Sequence, residues 1–242
     1  MRTKRLVFAL VVTIIIANYS IGQNVQKEPK YYNWFDDQVN RYNTSLFNGI
    51  EYVELYRTIN DRHKFFESSE FLTGSIVYDG QFYDEVALKY DLNVDELLFN
   101  VGYNYTYPTL ILFKSKIAGF QLGESDFIQI TNTDGKAEMS GFYELIIHKN
   151  PLTLFKKNRK KRFKRIKGQT VYYEFEYENS YYIKFENDYY EISSKNDVVK
   201  IWPDKKNYIN EYFNSALRKT NEDYFWKSFF EKLADTLNSK EK

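Results

Sequence analysis

The run GSIVYDGQFYDEVALKYDLNVDELLF, Gly74 to Phe99, constrains the fold more than any other stretch. Asp79-Gly80 stands between two β-rich segments, and a two-residue Asp-Gly loop is a strong hairpin signal because the turn needs left-handed backbone. After it, Phe82, Asp84, Val86, Leu88 and Tyr90 alternate with Tyr83, Glu85, Ala87, Lys89 and Asp91. Alternation of this kind puts one face of a strand in a core and leaves the other mixed. A second turn near Asn93 returns the chain into Glu96 to Asn100.

The same grammar recurs. TLILFKSKIAGFQL and DFIQIT follow, then a turn at Asn132-Thr133-Asp134-Gly135 and the strand sequence GFYELIIHKNPLTLFKK. TVYYEFEYENSYYIKFENDYYEI reads as three short strands with turns at Glu178-Asn179-Ser180 and Asn187-Asp188. Consecutive strands with no helix between them predict an antiparallel meander, curled into a sandwich or an open barrel.

At Ser194 the pattern changes. Ser194 with Asp197 three residues on is a helix start, and Pro203-Asp204 punctuates the next turn. Tyr208, Ile209, Tyr212, Phe213 and Leu217 share one side of a helical segment. Thr220 is read as the cap of a last helix carrying Trp226, Phe229, Phe230, Leu233 and Leu237. The expected fold is therefore α+β, a β-rich body over residues 49–192 with a helical C-terminal tail over 193–242. Residues 23–48 form a polar, aromatic lead-in with room for one short helix.

Residues 1–22 read as a signal peptide. Arg2, Lys4 and Arg5 precede an apolar run from Leu6 to Ala17 that only Thr13 interrupts, and Ser20 and Gly22 fit the small positions before a cut at Gln23. A spanning helix needs about 20 apolar residues, more than this run offers. The expectation is export to the periplasm or beyond. With no cysteine in the chain, neither a disulfide framework nor a lipid anchor on Cys is available, so stability must come from the core.

The segments SLFNGIEYVELYR, GSIVYDGQFYDEVALKYD, GFYELII and YYEISSKNDVVKIWPDKK, in this order from about Ser45 to Phe213, resemble a group of exported, uncharacterised proteins of Bacteroidetes-type bacteria. The resemblance implies export and a shared fold. It carries no catalytic residue.

Chemistry-bearing constellations are sparse. Only His63 and His148 are present, without cysteine, so no spacing suggests a zinc site, and no metal or cofactor is expected. No G-x-S-x-G elbow occurs. The paired acids Asp36-Asp37, Asp84-Glu85 and Asp95-Glu96 are sequence neighbours, which strands point to opposite faces; a carboxylate-dependent hydrolase would need acids brought together from afar. The expectation is a non-enzymatic binding or accessory protein of the cell envelope.

KKNRKKRFKRIK, Lys156 to Lys167, supplies its candidate contact. Lys156, Lys157, Arg159, Lys160, Lys161, Arg162, Lys164, Arg165 and Lys167 stand in twelve positions without an acid. The whole chain has a net charge of +1, and loss of the three charges of residues 1–22 leaves −2, so the block is a local asymmetry. It reads either as a charged hairpin or ragged pair of strand ends that carries the connection through solvent, or as a contact for an acidic envelope component or protein partner. Nucleic acid is an unsuitable partner for an exported chain whose block holds one aromatic, Phe163. An alternative is a carbohydrate-binding module that stacks Tyr172, Tyr177, Tyr181 and Tyr182 on sugar rings. On the acidic-contact reading, Ser at Lys160, Lys161, Arg162, Lys164 and Arg165 abolishes envelope association and leaves the body folded.

Overall fold

The computed structural model describes residues 44–100, 108–132 and 137–238. The signal-peptide and lead-in expectations, apart from its last residues, and most of the turn at 132–135 lie outside them. Among the described residues thirteen strands and four α-helices follow in order: β1 (Gly49–Glu51), β2 (Leu72–Tyr78), β3 (Gln81–Asp91), β4 (Glu96–Asn100), β5 (Leu110–Leu112), β6 (Ile117–Leu122), β7 (Ser125–Asn132) and β8 (Met139–Lys149). Then come β9 (Leu152–Lys157), β10 (Lys160–Lys167), β11 (Thr170–Tyr177), β12 (Ser180–Phe185), β13 (Asp188–Ile192), α1 (Lys195–Ile201), α2 (Lys206–Tyr212), α3 (Ser215–Thr220) and α4 (Glu222–Asn238). The body is mostly antiparallel sheet and the helices close the chain, the α+β arrangement expected.

Eleven strands make one sheet in the order β1-β5-β4-β3-β2-β6-β7-β8-β9-β12-β13, and β10 and β11 form a separate hairpin. Asp79-Gly80 is the first turn, left-handed at both residues (φ +52° and +79°), as the I′ hairpin requires. Strand β3 departs from simple alternation. Val86 pairs with Gly74 but Tyr83 pairs with Ile76, so β3 holds one extra residue, and Glu85 has φ +51°. A one-residue bulge flips every later side chain to the other face. Tyr83, rather than Phe82, therefore joins Leu88 and Tyr90 in the core.

The sheet curls. Strands β3 and β8 stand four places apart, about 19 Å in a flat sheet, yet the Tyr90 and Phe142 rings are 5.9 Å apart, edge to face. Phe120 and Phe127 stack between them at 4.7 Å. This end is an open barrel filled by aromatic and aliphatic side chains. Asp95, in the β3–β4 turn, fastens the curl: it accepts hydrogen bonds from Tyr90 Oη and Lys114 Nζ and pairs with Lys157 Nζ of β9 at 2.9 Å. Gly141 of β8 makes room, with φ +100° and a Cβ position 1.9 Å from Asp95 Oδ2; only glycine fits both the backbone and the space.

At the other end the same face of the sheet is covered by helices. Ile147, Leu154 and Ile183 pack against Val198, Trp202 and Ile209, and against Phe225, Trp226, Phe229, Phe230 and Leu233 of α4. Recurrence at three and four residues places those α4 side chains on one stripe, each contributing about 1.5–3 kcal/mol by burial. Ser194 and Asp197 form the expected reciprocal cap of α1. The last helix is capped by Asn221 rather than Thr220: Asn221 Oδ1 accepts from Tyr224 N, while the Thr220 hydroxyl bonds back into α3 at Ala216 and Leu217.

Candidate functional site

The basic block is built largely as the first strand of a hairpin, one of the two forms its sequence allows. Its first two residues finish β9 and its last eight are β10, joined to β11 by Gly168-Gln169. Gly168 has φ +62° with open space around it, the first-position glycine of a tight II′ hairpin. The register pairs Lys160 with Tyr177, Arg162 with Phe175, Lys164 with Tyr173 and Ile166 with Val171.

Strand alternation divides the nine cations. Lys156 and Lys157 point to opposite faces of β9 and both are buried. Lys156 Nζ lies 2.7 Å from Asp223 of α4, which also accepts from the Tyr181 hydroxyl. Lys157 binds Asp95 and the Ser140 and Phe142 carbonyls; burial lowers its pKa, and Asp95 opposes the shift. Lys160 is also buried, donating to the carbonyls of His63 (2.9 Å) and Phe65 (2.8 Å) with its ammonium over the Tyr177 ring. These three are ties within the fold. The five-site Ser variant considered above would remove one of them, so it cannot separate binding from folding.

Desolvation brings the Lys160 pKa from 10.5 to about 8, against a pull upward from Asp91. Because the folded value lies below the unfolded one, both states carry the charge below pH 8 and the full burial cost applies. Between pH 8 and 10.5 the unfolded chain holds a proton that the folded chain has released, so this group makes stability rise with pH across that window. Unfolding free energies at pH 8 and pH 10 are expected to show a more positive pH slope in the wild type than in Lys160→Met. Equal slopes would show that Lys160 stays charged.

The remaining cations face outward. Arg159 Nη2 reaches the Ser180 hydroxyl. Arg162 stacks on Tyr56, 4.1 Å from its centroid, and lies near Tyr173. Arg165 and Arg62 share Glu174 and Glu176, with Arg165 Nε 3.0 Å from Glu174 Oε2. Hydrogen bonds from Arg165 and then Asn60 hold the Glu174 carboxyl below its usual range. Lys161 stands 3.7 Å from Glu178. Lys164 and Lys167 form no ion pair among the described residues.

The sequence reading missed a strap. Ile50 to Ile59 reads as one strand, but only Gly49–Glu51 is paired as such. Beyond it the chain runs extended beside β11, accepting from Tyr173 N at Arg57 O and from Phe175 N at Arg62 O. It supplies Tyr56, Asn60 and Arg62 to the hairpin and leaves Val53, Leu55 and Ile59 exposed. Its signal in the sequence is the alternation of Val53 and Leu55 with Tyr52, Glu54 and Tyr56. An open cleft of about 350 Å³ between strap and hairpin is lined by Asp61, Arg62, Lys160, Phe175, Glu176 and Tyr177.

The four tyrosines of the sugar-binding alternative do not share a surface. Tyr181 faces the helices against Trp226, and Tyr182 faces the other way against Tyr143, both buried. Tyr172 is half-buried on the hairpin face opposite Tyr177. His63 Nδ1 accepts from Phe65 N, and His148 pairs with the Thr153 hydroxyl. Among the described residues no group of three or more His, Asp and Glu side chains could hold a metal ion, and no helix is long and apolar enough to cross a membrane.

Comparison of the chain with family models, with curated proteins and with solved structures returns no match to any of them. The functional reading rests on the chain's own geometry.

Proposed function

We propose that this chain is an exported, non-enzymatic binding or accessory protein of the cell envelope, and that the exposed cations on the two faces of the β10–β11 hairpin are its contact for an acidic envelope component. One observation carries the reading. From Lys161 to Tyr173 the hairpin holds five cations and no acid, on a two-stranded element that stands outside the main sheet. The inward cations are consumed by the fold, so the contact consists of Lys161, Arg162, Lys164, Arg165 and Lys167. A cationic patch on a molecule of little net charge acts at short range, within about 8–10 Å at physiological salt.

The test is co-sedimentation of the chain from Gln23 with envelope fractions across a salt series, beside Lys161→Ser/Lys164→Ser/Lys167→Ser. Binding that weakens with salt and is lost in the variant is the expected result. The variant should melt with the wild type, since exposed substitutions of this kind usually change stability by under about 0.5 kcal/mol each. Equal binding by the two proteins would leave the hairpin a solvated edge and end the reading.

A further inference from the structure

The hairpin's distal end presents more than charge. Ile166 and Val171, directly opposite each other behind the turn, are 70% and 41% exposed, and on the adjoining strap Val53, Leu55 and Ile59 are 66%, 73% and 44% exposed. These five are the exposed aliphatic side chains of one continuous unit, tied together by the Arg57 to Tyr173 backbone bond, the Tyr56 to Tyr173 ring contact and the Asn60 to Glu174 hydrogen bond. No hydrogen bond or ion pair connects residues 164–171 to a described residue outside the hairpin. Water therefore meets branched aliphatic groups and unpaired lysines on one two-stranded element outside the main sheet.

Each feature alone has an ordinary explanation. Lysine on an edge strand discourages edge-to-edge association, and scattered exposed apolar residues are common. Their coincidence on one projecting unit is what an interfacial surface requires: aliphatic groups that enter the boundary between headgroups and acyl chains, and cations that meet lipid phosphates. An acidic peptide would be served by the charges but would gain little from an exposed aliphatic pair such as Ile166 and Val171.

Resting on the reading of the hairpin as an acidic-envelope contact, we infer that its partner is the surface of an anionic lipid bilayer, with Ile166 and Val171 entering the interface and Lys161, Lys164 and Lys167 pairing with lipid phosphates. Arg162, held on Tyr56, braces the hairpin against the strap as this happens.

The chain lacks cysteine, so Ile166→Cys accepts a single environment-sensitive fluorophore, and Lys219→Cys on exposed α3 is the control. With vesicles of equimolar phosphatidylcholine and phosphatidylglycerol, the label at 166 should brighten and shift to the blue while that at 219 does not, and phosphatidylcholine alone should leave both unchanged. Removing Lys161, Lys164 and Lys167 should weaken sedimentation with the anionic vesicles about a hundredfold, from about fivefold for each charge. Ile166→Ser/Val171→Ser should weaken it about tenfold, with unchanged far-ultraviolet circular dichroism. Vesicle binding with a silent label and no effect of the Ser pair would overturn insertion. Absence of vesicle binding, with lysine-dependent binding to lipid-extracted envelope material, would overturn the lipid inference and keep the acidic-contact reading, transferring it to a peptide or polysaccharide. Absence of both would remove the two together.

Discussion

Asp95→Ala is expected to cost about 3 kcal/mol or more of stability and to lower the melting temperature by something on the order of 10 °C. The cost comes from what the carboxylate leaves behind. Lys157, with its side chain 8% exposed, would be left beside two carbonyls without its counter-ion, and Tyr90 and Lys114 would lose an acceptor. Asp95 also has φ +60°, a conformation that Asp and Asn tolerate better than Ala. Asp95→Asn therefore separates the two effects, retaining the backbone preference and removing the charge. Adding Lys157→Met to Asp95→Ala should restore part of the loss, because replacing both members of a buried pair is far cheaper than stranding one. Denaturant unfolding of the wild type, Asp95→Ala, Lys157→Met and the double variant measures this, with Asp95→Asn beside them. Additivity of the two single changes would show that the pair is not coupled.

That prediction also separates the two halves of KKNRKKRFKRIK. In sequence the nine cations are one block, and nothing local distinguishes Lys157 from Lys167. What distinguishes Lys156 and Lys157 is the strand they belong to and what lies across from it: for Lys157, Asp95 from a turn earlier in the chain, and for Lys156, Asp223 from a helix 67 residues later. Such partners come from the curl of the sheet, which no period-two pattern encodes. The turn chemistry, in contrast, was legible. Asp79-Gly80 and the Ser194 to Asp197 cap depend on a few consecutive residues, and both take the form that those residues dictate. The bulge at Glu85 lies between these cases. Its consequence is large, since it decides that Tyr83 and not Phe82 enters the core, but it shows only in the register of β3 against β2. The strap departs from its pattern for a related reason: residues 52–59 have the alternation of a strand, yet their partner is the hairpin, and the side that a sheet would cover is left to solvent.

Lys64→Met should have an effect of similar size, with a pH dependence that identifies its origin. Lys64 leads the strap back to the barrel. Its Nζ is 2.9 Å from Asp91 and 3.2 Å from Glu54, its carbonyl accepts from Leu92 N, and Phe65 bridges to Asp91. Asp91, 2% exposed at its side chain, has its pKa raised from 3.8 by burial, with Lys64 as the main opposing influence. Without Lys64 that pKa rises further. A carboxyl whose folded pKa exceeds its unfolded one contributes most below the unfolded value and loses that contribution as pH rises through the folded value. The variant should therefore lie about 3–5 kcal/mol below the wild type at pH 7 and approach it as the pH falls toward 4. Asp91→Asn in the same chain should recover part of the deficit at pH 7 and remove this pH dependence. Because the pair anchors the strap, amide exchange at Tyr173 and Phe175, whose N–H groups bond Arg57 and Arg62, should accelerate in Lys64→Met while that of the α4 core stays closer to the wild type. A deficit independent of pH would place the damage in lost packing against Tyr52 and Tyr56, whose rings lie 5.0 and 5.6 Å from the ammonium, rather than in a stranded carboxylate.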